Sequence, residues 1–316
     1  MSHFAYHVDG GKTEKVSAEK ALALKSGLVW IHLATNDAEA QAWLADKAGL
    51  GDYLVDALTA TETRPRCDAV GEGAYVNLRG RIAERGKGDD ALGSVRIWAK
   101  AGRVISVTRT QLVAMEQVIA AVESAAVDDP GDLITEFAVA ITEDLDPEVS
   151  DLGDQLDDCE AELDADRVFQ LRRKVTQVRV AAIQYRRFLA PQRAALDKLA
   201  ALPGDWLEDD DRLHLAAAAD RAARMAEELE AIRERSALTH EALTDLRAEQ
   251  LDQRSLVIAV VAMVFLPLTF ITGLLGMNVK GIPYADQPWA FDGVMAVCAV
   301  LAAGITIYFV RRHWFR

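Results

Sequence analysis

The chain has 316 residues, a formal net charge of −14 and three cysteines. That acidity argues against nucleic acid as a partner and for cations. Cys67, Cys159 and Cys298 form no CxxC or Cys/His spacing, so neither a disulfide framework nor a structural zinc site is indicated.

The N-terminal stretch MSHFAYHVDGGKTEK has no basic segment followed by an apolar one, so no signal peptide is expected, and the large region before Ser255 is placed in the cytoplasm. Up to about residue 130 the sequence mixes strand and helix signals. Leu28 to Ala34, Ala74 to Ile82, Ser94 to Lys100 and Arg103 to Arg109 are rich in β-branched and aromatic residues. The Ala-Gly between the last two predicts a hairpin. DAEAQAWLADKAG and LVAMEQVIAAVESAA read as helices, giving a cytoplasmic α/β domain over residues 1–130. GGKT (Gly10 to Thr13) ends like a Walker A loop, but Tyr6 stands where that motif needs glycine, so no phosphate cradle is read. His3 and His7 could ligate a metal on a helix, but their stretch reads as strand-like or frayed, so they are read as a surface pair.

Over residues 131–254 the strand signals vanish and Ala, Leu, Glu and Arg dominate, with interruptions expected at Pro147, Gly153 and Pro191. The acidic run Asp157 to Asp166 and the Glu208 to Asp211 cluster are read as solvated helix surface, with a regulatory divalent-ion site among them or between α/β domains as the alternative, and Asp205 as a helix N-cap. His214 and His240 are expected to face solvent. Beyond Gly204 no Gly or Pro occurs until Pro267, so a helix of roughly 60 residues, on the order of 90 Å, is predicted to continue as a stalk into the next segment.

Residues 255–316 form the membrane part. Ser255 to Leu275 and Gly293 to Val310 are free of charge and long enough to cross a bilayer, giving a first span at about 255–275, a loop at 276–290 and a second span at about 291–310. Arg247 and Arg254 precede the first span, Arg311, Arg312 and Arg316 follow the second, and the loop between holds Lys280 as its one cation. That bias turns the loop outward and leaves both termini cytoplasmic. From residue 255 onward these four cations exceed Asp286 and Asp292 by two, which leaves −16 for residues 1–254.

On the first span, steps of three and four connect Ser255, Ala259, Ala262, Leu266, Thr269, Gly273 and Gly276. Val257, Val261, Val264, Phe265, Leu268 and Ile271 occupy the other faces. A small, weakly polar stripe opposite bulky aliphatics suits a pore-lining face or close helix packing without a pore. One chain with two spans cannot enclose a water-filled path, so self-association is implied. Asp252, one turn before Ser255, and Asn278, after Gly276, bracket the stripe. A ring of amide carbonyls can hold the waters of a hydrated divalent ion, and a ring of carboxylates can concentrate it.

The GMN of Gly276, Met277 and Asn278, at the outer end of the first of two C-terminal spans, resembles the signature of the CorA family of divalent-cation transporters. WIHL, RPRCDAVGEGAYVNLRG, SVRIW with RVISVTR, and MVFLPLTFITGLLGMN are similar to family segments in the family's order. The resemblance implies a homopentameric funnel, pore lining by the first spans, an inner-membrane location and no enzymatic cofactor. It assigns the ion entrance to Gly276, Met277, Asn278 and Lys280. VKGIPYADQPWAF is similar to the GGxP loop of the ZntB branch, which implies zinc as the ion and coupling to protons, with Lys280 where that branch commonly has glycine. The rivals are a magnesium or cobalt transporter of the same architecture and a membrane-anchored sensor or scaffold.

Overall fold

The structure is a computed structural model that describes residues 3–34, 38–61, 64–84, 92–282, 284 and 286–311. Pro283 of the predicted loop, and Arg312 and Arg316 after the second span, lie outside the described residues.

Seven strands form one sheet: β1 (Phe4–Asp9), β2 (Lys12–Val16), β3 (Leu28–Ala34), β4 (Arg66–Val70), β5 (Gly73–Arg81), β6 (Leu92–Lys100) and β7 (Arg103–Thr108). Their order is β2-β1-β3-β7-β6-β5-β4. Among the described strands only β3 and β7 pair in parallel, with Ile31 opposite Ile105. LVWIHLA is apolar at nearly every position because β3 is buried on both faces, as a central parallel strand must be. The Ala101-Gly102 turn of the β6–β7 hairpin has Gly102 at φ +71, a backbone that glycine adopts without strain. GGKT is likewise hairpin: Gly10 and Gly11, at φ +57 and +71, turn β1 into β2, and no helix N-terminus follows to receive a phosphate.

One face of the sheet packs on α1 (Ala18–Ala23), α2 (Ala38–Ala42, continued by a π-helical turn to Lys47) and α3 (Asp52–Thr59), around Ile31, Leu33, Leu44, Leu58, Trp98 and Ile105. The other carries α4 (Ala114–Glu123) and the first half of α5 (Pro130–Ala161). There Trp30 stands edge-on to Phe137 at 5.7 Å, and Arg81 at the end of β5 grips Asp144 of α5 at 2.6 Å. Asp129 caps α5 by accepting the Asp132 N–H, with Pro130 in the first turn, where its missing N–H costs nothing.

α5 and α6 (Val168–Ala200) run straight through Pro147, Gly153 and Pro191, correcting the expected interruptions. Buried Val149, Leu152 and Leu156 beyond Pro147, and Leu189, Ala195 and Leu196 around Pro191, show why: tertiary packing offsets the lost backbone hydrogen bond. α7 (Asp209–Leu275) is a single helix of 67 residues, and α8 (Ala290–Arg311) follows it. α7 begins at Asp209, so Asp205 is not its cap.

Two compact units result. One comprises residues 1–162 and 173–239, the other residues 163–172 and 240–316.

Candidate functional site

The stripe of small residues lies on the C-terminal part of α7. Because that helix is uninterrupted, its phase can be followed backwards from Ser255 through Asp252, Ala248 and Asp245 to Glu241, each three or four residues from the last. Sequence reading placed only Asp252 below the stripe. Helix continuity adds two carboxylates, Asp245 and Glu241, to the same line. An adjoining line, one residue out of phase with the stripe, runs from Arg247 through Gln250, Arg254, Ile258, Val261 and Phe265 to Leu268. Acidic and small residues therefore share one line of α7, and basic and bulky residues the line beside it.

Within the stripe the Thr269 hydroxyl donates to the Phe265 carbonyl at 2.8 Å, and the neighbouring Thr272 hydroxyl to Leu268 at 2.9 Å. Each threonine spends its proton on its own helix and keeps oxygen lone pairs to offer a cation or water. Pro267 sits within the helix without ending it. The Gly276 N–H closes the last turn on the Thr272 carbonyl at 2.9 Å. Past it, Met277, Asn278 and Lys280 are exposed, and Gly281 takes φ +105. Tyr284 packs on Trp289 at 5.3 Å between ring centroids. Two amphipathic rings at that end of the spans are what a membrane-water boundary selects.

α7 and α8 are both long and apolar enough to cross a membrane. Within the chain their apolar side chains stay largely uncovered: Leu266 is 75% exposed and Val300 72%. So much uncovered apolar surface calls for lipid or other copies of the chain as its solvent.

Residues able to hold a resident metal come together elsewhere. Asp129, Asp132 and Asp211 bring carboxylate oxygens within 4.8 Å of one another. The sequence reading took Asp211 for solvated helix surface. It is buried instead, because the first turn of α7 lies against the N-terminus of α5. The three carboxylates already serve helix ends: Asp129 accepts from Asp132 N–H, Asp132 from Asp128 N–H and Asp211 from Glu208 N–H. Burial, with Asp129, Asp132 and Glu208 nearby, pushes Asp211 up to about 6.

Among the described residues His3 lies near His32, whose pKa is lowered by burial and by His3, and the other histidines stand apart. His3 Nδ1 accepts from the Ala34 N–H, His7 Nε2 lies 3.0 Å from the Ser26 carbonyl, and exposed His214 pairs with Asp210. His240, expected in solvent, is half-buried with Arg172 at 3.3 Å. His32, buried between Ser106 and Thr108, is pushed down to about 3 and stays neutral. Cys67 and Cys159 are buried thiols, and burial pushes Cys67 up to about 12.

The family model described as "CorA-like Mg2+ transporter protein" matches residues 25–312, from β3 to the end of the second span. The chain belongs to the CorA family of divalent-cation transporters. Among curated relatives it is 29% identical to the zinc transport protein ZntB of Pectobacterium atrosepticum, over 98% of this chain and 95% of that one. It is 35% identical to the divalent cation transporter CmaX of Pseudomonas aeruginosa, over 83% of this chain and 80% of the relative. The solved structure of full-length CmaX has a TM-score of 0.79 and 31% identity, over 98% of this chain and 96% of that one. The likeness to these CorA-family proteins extends from the α/β domain through both spanning helices.

Proposed function

We propose that this CorA-family transporter takes up zinc through the inner membrane as a homopentamer, with the stripe on α7 turned to the pore axis and no covalent chemistry. The observation that carries the reading is the register of α7. One unbroken helix places Asp252, Ser255, Ala259, Ala262, Leu266, Thr269 and Gly273 on a single line that ends at Gly276, Met277 and Asn278. Around a symmetry axis, five Asn278 amides form a ring of carbonyl acceptors for the water shell of an arriving ion. Below it, small side chains and the Thr269 oxygens leave room for a hydrated or partly hydrated cation. Asp252, joined by Asp245 and Glu241, forms stacked acidic rings that hold cations at the cytoplasmic mouth. Exposed Lys280, two residues beyond Asn278, weakens cation capture at the entrance by like charge. A negative cytoplasm and an acidic funnel favour uptake.

Zinc is favoured by the full-length likeness to ZntB. Magnesium, the ion in the family's description, is the second reading. Neither apolar run, Ser255 to Leu275 or Gly293 to Val310, contains a carboxylate or histidine to carry a proton, so proton coupling rests on the ZntB likeness alone.

The test is metal flux into liposomes holding the purified protein, comparing Zn²⁺, Mg²⁺ and Co²⁺ with and without a pH gradient. Zinc flux that falls at least tenfold in an assembled Asn278→Ala variant is expected, from the loss of roughly one pore-facing polar contact per subunit. Magnesium flux with zinc excluded would select the second reading. Absence of any divalent flux would leave a membrane-anchored scaffold.

A further inference from the structure

The start of α6 lies beside α7 just before the first span, and its most conspicuous side chain has nothing over it. Phe169 is 81% exposed, while its neighbour Val168 is buried. Together with Asp166, Arg172, Arg247 and Gln250 they line a cavity of about 230 Å³. Arg172 is held in place beside α7 by its 3.3 Å contact with His240. Among the described residues Arg247 has no ion-pair partner. Arg254, one turn above Gln250 on the same line of α7, adds a further cation to this side, while Asp245 and Asp252 point to the opposite side.

Depth along the helix identifies what meets this surface. Gln250 and Arg247 precede Ser255 by five and eight residues, about 8 and 12 Å of helix rise. The headgroup layer extends about 5–8 Å beyond the hydrocarbon, and an arginine side chain can reach across the remainder. Directly above on the same line stand Ile258, Val261 and Phe265, the bulky face of the span. An exposed aromatic ring, paired with guanidinium groups at this depth, matches a phospholipid: ring against the acyl boundary, arginines on the phosphate. Arg247, which has no ion-pair partner among the described residues, brings to the cavity a cation that selects an anionic headgroup over a zwitterionic one.

We propose that Phe169, Arg172 and Arg247 form a docking site for an anionic phospholipid of the leaflet at the N-terminal end of the first span. The inference rests on α7 and α8 spanning a membrane and not on which ion crosses it. Bound there, the lipid ties the start of α6 to the bilayer surface, on the side of α7 turned away from Asp245 and Asp252.

Native mass spectrometry of the detergent-purified full-length protein, supplied with phosphatidylglycerol or with phosphatidylcholine of equal chain length, tests this. The parent should retain phosphatidylglycerol in preference, and inorganic phosphate at about 10 mM, well below physiological ionic strength, should not displace it. Phe169→Ser combined with Arg247→Gln should lower phosphatidylglycerol retention by about fivefold per lost contact, leaving phosphatidylcholine retention and oligomer mass unchanged. Arg247→Lys should keep the preference. Equal retention of both lipids by the parent, or undiminished phosphatidylglycerol on the double variant, overturns the proposal. So does loss of the oligomer on Phe169→Ser alone, which would give this surface to a neighbouring copy. Ion flux measured on the same preparations reports on the transport reading separately, since lipid retention requires no ion movement.

Discussion

Asp211 shows how one side chain can set the pH response of a helix junction. It is 3% exposed, its Oδ2 accepts the Glu208 N–H at 2.9 Å, and its Oδ1 lies 3.5 Å from the Thr135 hydroxyl. Burial, with Asp129, Asp132 and Glu208 nearby, holds its carboxyl at about 6, above the ordinary 3.8. The folded chain therefore binds this proton more tightly than the unfolded chain. The resulting stability is fully present below about pH 4 and is lost as pH rises through about 6. Asp211→Asn keeps one acceptor oxygen and removes the titration. Its thermal midpoint should gain on the parent between pH 4.5 and pH 7.5, by an amount equivalent to on the order of 2 kcal/mol. A difference between the two proteins that stays constant across that range would mean that Asp211 does not titrate there. The burial was hidden in the sequence because LEDDD has the composition of solvated helix surface. Only the return of α7 onto the N-terminus of α5, some 80 residues earlier, withdraws one of its carboxyls from water.

That contact of α5 with α7 is also where a rule about isolated helices fails. Gly131 stands in the first turn of α5, where alanine would ordinarily raise helix propensity. A Cβ there would lie 2.0 Å from Asp211 Oδ2 and 2.9 Å from the Trp206 carbonyl oxygen. Gly131→Ala should accordingly destabilise the protein by about 1–3 kcal/mol, read as a lower thermal midpoint, and Asp211→Ala in the same chain should recover part of the loss. A Gly131→Ala protein as stable as the parent would show that the junction yields without cost. Elsewhere, legibility followed burial. β3 was read at its observed bounds, and β5, β6 and β7 within one or two residues, because buried strands write their pairing in β-branched and aromatic side chains. The sheet's edges, β2 (KTEKV) and β4 (RCDAV), were missed, since edge strands carry charges that protect them from further pairing. β1 was left undecided between strand and frayed terminus for want of its partner. Pro147, Gly153 and Pro191 read as stops because local preference is visible in a sequence and the packing that overrides it is not.

At the scale of the whole molecule, charge and apolar surface pull association in opposite directions. Residues 1–254 carry the acidity, and α7 places Glu241, Asp245 and Asp252 on the line that a pore reading turns toward a common axis. Assembled copies would stack those carboxylates ring upon ring, at separations comparable with the Debye length of about 8 Å at physiological salt. The spans supply what opposes that repulsion: the small-residue stripe for close approach, and apolar side chains such as Leu266, Phe270 and Val300 that nothing in the single chain covers. A fragment of residues 1–254 retains the sheet and its helices but loses this adhesive surface. It should be folded, with thermal unfolding as cooperative as that of a globular domain, and predominantly monomeric by sedimentation at micromolar concentration and low salt. Raising the salt should strengthen whatever weak association remains, because screening removes repulsion between like-charged rings. Divalent cations should do so at lower ionic strength than sodium, since they also concentrate at the carboxylates. A fragment that sediments as a stable oligomer in low salt would transfer the association to the α/β domain and the stalk. The acidic line would then have to face away from the contact, and the pore register drawn from Glu241 to Gly273 would need rotating about the α7 axis.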